Sequence, residues 1–321
     1  MKLFVLGGGP AGLAAAHAVA QQDGREFVLI ERGEALGGLA RTAEWPGIGR
    51  HDLGPHKIFT LDAALMARVE ALLRPDEWLT RVKVSSIFMG GHFLPYPPSP
   101  FALIKVFGLA TFLKISAGYG WTRACALLGG RGSPQTFEDD LEARVGRGLY
   151  EALFKPIALK LWGDPKRLDV KLSQGRVQTP SLTEVLMRLL KLRKSSAFEA
   201  LTFRYPKGGL QRLWNSIRSR CEGRGRFLLG RTVVGLEVAD GRVRALRCRD
   251  AQGVESSQEV GPDDFVASTL PLGLLPDLMP QALSPAAARA CKEFVVLNDL
   301  LLVFLHIDKP SLLRESQVVI V

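Results

Sequence analysis

This sequence predicts an α/β fold built on an open parallel sheet, and three neighbouring observations carry the prediction. The apolar run Lys2 to Leu6 has strand character and leads straight into glycines at the G-x-G-x-x-G spacing, Gly7, Gly9 and Gly12. The next segment, Leu13 to Gln22, is mostly alanine, leucine and valine, a helical composition. Glu26 to Ile30 is then a second strand, and it ends on an acid, Glu31. Strand, glycine turn, helix, strand and terminal acid in that order make a βαβ unit of the dinucleotide-binding kind.

Each position has its own physical reason. Gly7 permits the tight turn, Gly9 lacks the Cβ that would keep a pyrophosphate off the backbone, and Gly12 lets the helix pack closely on the strand. The helix amino terminus, entered through Pro10 and Ala11, offers unpaired N–H groups and the positive end of its dipole to a diphosphate. Glu31 is placed to accept hydrogen bonds from an adenosine ribose and would repel a 2'-phosphate. A glycine-rich surface turn would need none of the flanking strand, helix and acid.

Beyond Glu31, Arg32-Gly33-Glu34-Ala35-Leu36 leads to a second diglycine, Gly37-Gly38, followed by Leu39-Ala40-Arg41-Thr42. An acid, five residues and Gly-Gly resemble the flavoprotein superfamily of amine oxidases, protoporphyrinogen oxidases, phytoene desaturases and UDP-galactopyranose mutases. The resemblance implies a Rossmann-like FAD-binding domain of the GR2 type with an inserted α+β substrate domain, and FAD as cofactor. It implies cofactor contacts at Gly7, Gly9, Pro10, Ala11, Gly12, Glu31, Arg32, Gly37, Gly38 and Leu39. Arg41 would set its planar donor fork against flavin phosphates or ribityl oxygens. Asp52-Leu53-Gly54-Pro55-His56 is similar to the family's loop beside the isoalloxazine ring, which adds Gly54, Pro55 and His56. Val233 occupies the position that meets adenine through its backbone, and Thr269 lies in the turn that closes over the dinucleotide.

Composition bounds the remainder. With 321 residues, 47% of them hydrophobic, the chain can bury one large core or two modest ones, and two domains are expected. A net charge of +10 fits an anionic small-molecule substrate or a membrane surface. Nucleic acid is excluded, because no stacking aromatics alternate with the basic residues in a recognisable binding motif. Cys125, Cys221, Cys248 and Cys291 are scattered, and the five histidines form no H-E-x-x-H, so reduced thiols and no metal site are expected. The amino terminus imitates a signal peptide ending at Ala18-Val19-Ala20, but the glycines would break its apolar helix and cleavage would discard the phosphate loop. The expected location is cytoplasmic, with membrane association as the alternative.

Further along, Leu61 to Leu73 carries a helical apolar stripe, and Arg81 to Met89 with His92 to Tyr96 read as two strands around a Gly90-Gly91 turn. After Pro95, Pro97, Pro98 and Pro100, the apolar stretch Phe101 to Leu128 is interrupted by Lys105, Lys114 and Arg123, too often to span a bilayer. Core packing of a helix pair is the expectation. A monotopic membrane patch with Phe101, Phe107, Phe112 and Trp121, similar to the way protoporphyrinogen oxidases attach, is the alternative. Gly129 to Pro134 is a loop without a preceding strand, hence no second nucleotide fingerprint and no tethered NADP.

Thr136 caps a helix with an acidic first turn, Phe137-Glu138-Asp139. With Val145 to Tyr150, Phe154-Lys155-Pro156 and Lys160-Leu161-Trp162-Gly163, it resembles the mutase and protoporphyrinogen-oxidase branch. There this segment lines the substrate cavity, which makes Lys160, Trp162 and Arg176 substrate-side candidates. Core packing for Trp162, a helix-face charge for Lys160 and a surface ion pair for Arg176 fit equally well. A helix over Leu182 to Leu192 follows, and Tyr205-Pro206-Lys207-Gly208-Gly209 resembles the family's turn back into the flavin domain. The expected domains are therefore 1–80 with 206–270 for FAD, and 81–205 with 271–321 for substrate. Thr232 to Ala239 and Arg242 to Cys248 form a hairpin through Asp240-Gly241, Asp264 to Ser268 is a strand, Leu275 to Lys292 helical and Val295 to Ile307 a strand.

Two departures stand out. The mutases carry a diphosphate-binding arginine in the strand matching Leu297-Asn298-Asp299-Leu300, and this sequence has none there. Relatives also continue into a further glycine-containing segment, where this sequence ends at Val321, so the C-terminal part of the fold is expected to be missing. The resemblance implies a FAD-dependent oxidoreductase, protoporphyrinogen oxidase-like or amine oxidase-like, passing hydride from substrate to flavin N5 with reoxidation by oxygen or a quinone. A reduced-flavin isomerase like the mutases and a non-catalytic fragment are the alternatives. No general base is identified; His56 is a candidate through its loop.

Overall fold

Period-two alternation in the first strand decides the architecture. The computed structural model describes residues 1–54, 56–82, 84–95, 99–128, 133–177, 202–293, 301–308 and 318–320. Its contacts divide the chain into two compact units, Met1–Arg81 with Thr202–Asp308, and Val82–Leu201 with Lys309–Val321. Residues 271–308 thus group by contact with the first unit.

The first unit opens with β1 (Lys2–Leu6), α1 (Pro10–Ala20) and β2 (Glu26–Ile30). A hairpin, β3 (Thr42–Trp45) and β4 (Gly49–Asp52), then leads to α2 (Ala63–Glu70) and β5 (Trp78–Val82). In the second unit β6 (Ser85–Met89) and β7 (His92–Pro95) precede α3 (Pro100–Phe107), α4 (Leu109–Leu127), α5 (Phe137–Val145) and α6 (Arg147–Leu149). A π-helical turn, Tyr150–Phe154, joins α6 to α7 (Lys155–Leu161), and α8 (Val170–Arg176) follows. The chain returns to the first unit with β8 (Thr202–Pro206), α9 (Gln211–Arg220), β9 (Gly225–Leu228), β10 (Thr232–Ala239), β11 (Arg242–Arg249), β12 (Glu255–Glu259) and β13 (Phe265–Ser268). Two short helices, α10 (Leu275–Leu278) and α11 (Pro285–Glu293), complete it, and β14 (Val318–Ile320) belongs to the second unit.

The predicted α/β fold is present. Strands β13, β1, β2 and β9 form a parallel sheet in that order, with Leu3 opposite Phe265 and Phe27 opposite Gly225. Because successive side chains of a strand point to opposite faces, Val5, Phe27 and Leu29 go one way and Phe4, Leu6, Val28 and Ile30 the other. The first set packs on Leu13, Ala16 and Val19 of α1 and on Leu213, Trp214 and Ile217 of α9. The second packs on Leu246, Cys248 and Val260 around the antiparallel sheet β10-β11-β12. Strands buried on both faces read as continuous apolar runs, as β1 and β2 do. Burial pushes the Cys221 thiol up to about 11, so it is an inert core residue.

The second unit holds a parallel and antiparallel sheet, β14-β6-β7, and a helical core of Phe137, Leu141, Val145, Tyr150, Ala158 and Val177. The Gly90-Gly91 turn between β6 and β7 has φ of 56° and 78°, as a two-residue hairpin needs.

Four expectations are corrected. Arg81 to Met89 is two strands, since β5 pairs with β8 and β6 with β7 and β14. The helix pair in Phe101 to Leu128 exists, broken at Gly108, and is core on one side only: Ala102 and Val106 pack on Ile87, Leu94 and Leu153, while Phe101 and Trp121 are 79% and 73% exposed. Its apolar residues are spread around the helices with Lys105, Lys114 and Arg123 among them, so the sequence pattern did not say which side was covered. Leu275 to Lys292 is interrupted between Leu278 and Pro285. Residues 301–308 form no strand; Phe304 instead packs its ring against Trp45 and His51 of the β3–β4 hairpin, at 5.0 and 5.3 Å. The expected helix 182–192, the loop residues 129–132, Tyr96, Pro55 and the 297–300 segment lie outside the described residues.

Candidate dinucleotide-binding site

At the carboxyl end of β1 the chain turns at Gly7, with φ of 104°, a conformation side-chain-bearing residues rarely adopt. Its N–H donates to the Ile30 carbonyl at 2.9 Å, joining the turn to the end of β2. A Cβ on Gly12 would sit 2.0 Å from the Gly7 oxygen, so only glycine lets α1 start there. Gly9 differs from both. Its φ is an ordinary −72°, and a Cβ on it would meet nothing within 4 Å. Neither backbone conformation nor packing within the chain accounts for that glycine, and open space lies before it. The α1 amino terminus has no side-chain cap, which leaves its first-turn N–H groups for a ligand.

Glu31 spans the two loops. Its Oε2 accepts from Gly8 N–H at 2.6 Å and its Oε1 from Gly33 N–H at 2.8 Å, so each oxygen retains acceptor capacity for a ribose hydroxyl. The second diglycine lies on the first. Gly37 N–H donates to Gly8 O at 2.8 Å, and a Cβ on Gly38 would come within 3.0 Å of Gly9 Cα. Leu39, next in line, is 85% exposed although Gly37, two residues before it, is buried. Pro10, Ala11, Arg32 and Arg41 are exposed around this surface, and the Arg41 guanidinium lies beside Gly33.

Thr269 closes the end of β1 from the other side. Its N–H and its hydroxyl both donate to the Leu6 carbonyl at 2.9 Å. Val233 is half-buried in the cluster with Phe4 and Leu6. Gly54 abuts the His56 ring. The His56 Nε2 lies 3.0 Å from Leu39 O and 3.1 Å from Leu53 O, both acceptors, so Nε2 carries a proton. The first unit therefore brings together the glycine loop, Glu31, the second diglycine, Leu39, His56 and Thr269.

Four residues escaped sequence reasoning. The Asp52 carboxylate accepts from the hydroxyls of Thr42 and Tyr205 at 2.5 Å each, and the Trp214 indole N–H donates to Ala40 O at 2.7 Å. Burial, and then the bond to Asp52, push the Tyr205 phenol above its ordinary range. One signal was legible: α9 begins after Leu210, a residue that cannot cap a helix.

The second unit holds the substrate-side candidates. Trp162 packs on Phe137 at 5.6 Å between ring centres, while Lys160 and Arg176 are exposed on α7 and α8. The buried polar centre nearby is Asp140, which accepts from Ser173 Oγ at 2.6 Å and Arg144 Nη1 at 2.9 Å and so ties α5 to α8. Among the described residues no group of histidine, cysteine and carboxylate side chains could hold a metal.

The fold and this loop define a Rossmann-like domain. Residues 5–73 match the family model described as NAD(P)-binding Rossmann-like domain. Two of the four families that the motifs resemble recur among the relatives. A chloroplastic protoporphyrinogen oxidase from Oryza sativa subsp. japonica is 30% identical over 186 residues, 54% of this chain and 33% of that protein. A probable UDP-galactopyranose mutase from Klebsiella pneumoniae is 26% identical over 177 residues, 53% of this chain and 44% of that protein. In fold, the crystal structure of a reduced UDP-galactopyranose mutase matches with a TM-score of 0.71 at 19% identity, over 91% of this chain and 59% of that one. The matches thus span less than half the length of these curated relatives.

Proposed function

We propose that the protein is a FAD-dependent oxidoreductase of the protoporphyrinogen oxidase or amine oxidase kind, with oxygen or a quinone as the final acceptor. The observation that carries this reading is the contact of Gly38 with Gly9 beside the space that Gly9 leaves open. A nicotinamide site needs one glycine loop; a second loop held against it, with an exposed Leu39, supports the longer flavin dinucleotide. Bound there, the flavin supplies a two-electron acceptor, and the protein contributes position and electrostatics. Glu31 holds the adenosine ribose, the uncapped α1 terminus holds the diphosphate, and Arg41 adds positive charge beside the second loop. His56, with its Nε2 proton fixed on two carbonyls, offers Nδ1 as the acceptor for any proton. An anionic small molecule is the proposed substrate class, supported by the net charge.

The test is Gly9→Ala. At this φ, with empty space before it, the apo variant keeps its stability within about 0.5 kcal/mol, while FAD binding, followed by flavin fluorescence, weakens at least about tenfold. Unchanged FAD affinity, or a wild type that prefers NAD, rejects the reading. Turnover that starts only after chemical reduction of the flavin would place the activity with the mutases.

A surface reading is supported independently. No acidic residue occurs between Glu77 and Glu138, whereas Lys105, Lys114 and Arg123 sit among the exposed Phe101, Leu109, Leu113 and Trp121 of α3 and α4. No helix among the described residues is long and apolar enough to cross a membrane. Apolar side chains among cations suit peripheral contact with anionic lipid. Sedimentation should capture the protein on phosphatidylserine vesicles and not on phosphatidylcholine alone, and equal capture by both removes the electrostatic part.

A further inference from the structure

Helix α9 begins without a local cap: no side chain of its own first turn accepts from it, and no acid stands there. Its first N–H groups are taken up by the β3–β4 hairpin. Leu210 N–H donates to Asp52 Oδ1 at 3.2 Å, across 158 residues of chain, and Gln211 N–H to Thr42 Oγ1 at 3.0 Å. The Thr42 hydroxyl donates in turn to Asp52 Oδ1, and Tyr205 fills Oδ2. Gly209, at φ of 98°, allows the approach; a Cβ there would lie 2.5 Å from Thr42 Oγ1.

The same helix grips the second diglycine loop. The Trp214 ring occupies the space in which a Gly37 side chain would stand, and its N–H holds Ala40 O. The two carbonyls that fix His56 belong to Leu39 and Leu53, the immediate chain neighbours of Ala40 and Asp52. Both are therefore one residue from an α9 anchor.

We propose that Asp52 is a positioning residue of the cofactor site: seated on the amino terminus of α9, it sets the loop carbonyls that hold His56 in one tautomer. The proposal rests on the FAD reading for its consequence, not for its geometry. An anion at a helix amino terminus with several donors is strongly bound. Truncating it leaves the Leu210 N–H, the Thr42 hydroxyl and the Tyr205 phenol without their acceptor.

The experiment compares wild type, Asp52→Ala, Asp52→Asn and Tyr205→Phe, each at a temperature where circular dichroism reports a folded chain. The ring nitrogens of His56 are followed by 15N NMR in the apo protein, assigned through their loss in His56→Gln, and FAD affinity is measured separately. Wild type shows one tautomer with the proton on Nε2. Asp52→Ala moves the His56 shifts toward the averaged values of a free imidazole and weakens FAD at least about tenfold. Asp52→Asn, which keeps an acceptor for Thr42 and Leu210 and turns its amide to the Tyr205 oxygen, restores both. If Asp52→Ala does not fold, Tyr205→Phe, which removes a single donor, shifts the His56 signals the same way by less. His56 signals unmoved in every folded variant overturn the proposal, because a purely structural Asp52 would lower the melting temperature and leave them in place. A wild type that binds no FAD overturns the cofactor reading alone, and the His56 measurement still decides the positioning role.

Discussion

Helices α5 and α9 face the same problem, a first turn whose N–H groups have no partner within the helix, and they solve it in opposite ways. At α5 the answer is local. Thr136 Oγ1 accepts from Asp139 N–H and Asp139 Oδ2 from Thr136 N–H, both at 3.1 Å, a reciprocal box within four residues. At α9 it comes from Asp52 and Thr42, on a hairpin from the other end of the sequence. Helix α1 gives a third answer and takes no side-chain cap, which suits a terminus meant for a phosphate. A local cap secures one helix. A remote cap secures a helix and the loop that reaches it, so the first unit uses the remote form where a loop must be held in place.

This contrast can be tested from its largest effect downward. Removing the carboxylate that clamps α5, Asp140→Ala, leaves Arg144 and Ser173 without their buried partner and costs about 3 kcal/mol in urea unfolding. Thr42→Val removes one donor and one acceptor at the α9 junction together and costs about 2 kcal/mol. Thr136→Ala, the local counterpart, costs about 1 kcal/mol. A Thr42→Val penalty no larger than that of Thr136→Ala breaks the distinction between remote and local caps.

The smallest effect is in the pH dependence. Burial first, and then hydrogen bonds to Asp52 and Glu138, raise the phenols of Tyr205 and Tyr150 in the folded protein. Both folded values exceed the unfolded one, so the stabilisation is fully present below the unfolded pKa of about 10 and is lost as pH rises beyond it. Tyr205→Phe should flatten the part of this decline that belongs to the first unit, and Tyr150→Phe the part that belongs to the second. A decline unchanged by both replacements refutes the assignment.

The phosphate loop was legible because its turn and the start of its helix are set by near neighbours. Gly7, Gly12 and the ends of β1 and β2 do their work within thirty-one residues of chain, and the spacing records the geometry. The Asp240-Gly241 turn was legible for the same reason, with Asp240 at φ of 52°. The exposed side of Phe101 to Leu128 was not legible because apolar composition states what a helix can bury and not what is there to bury it. Trp162 stayed ambiguous until its ring was found on Phe137. Asp52 stood inside a quoted motif, yet nothing near it in the chain shows the donors it serves, since Tyr205 and Leu210 lie more than a hundred and fifty residues away.

The sequence by itself determined the parallel α/β sheet, the dinucleotide loop and the resemblance to flavin enzymes, because strand period, helix composition and glycine spacing act over one or two elements. Only the tertiary structure decided what holds the His56 ring and what caps α9. Those depend on groups far apart in the chain that meet only when α9 packs beneath the loops, and no local pattern encodes such a meeting.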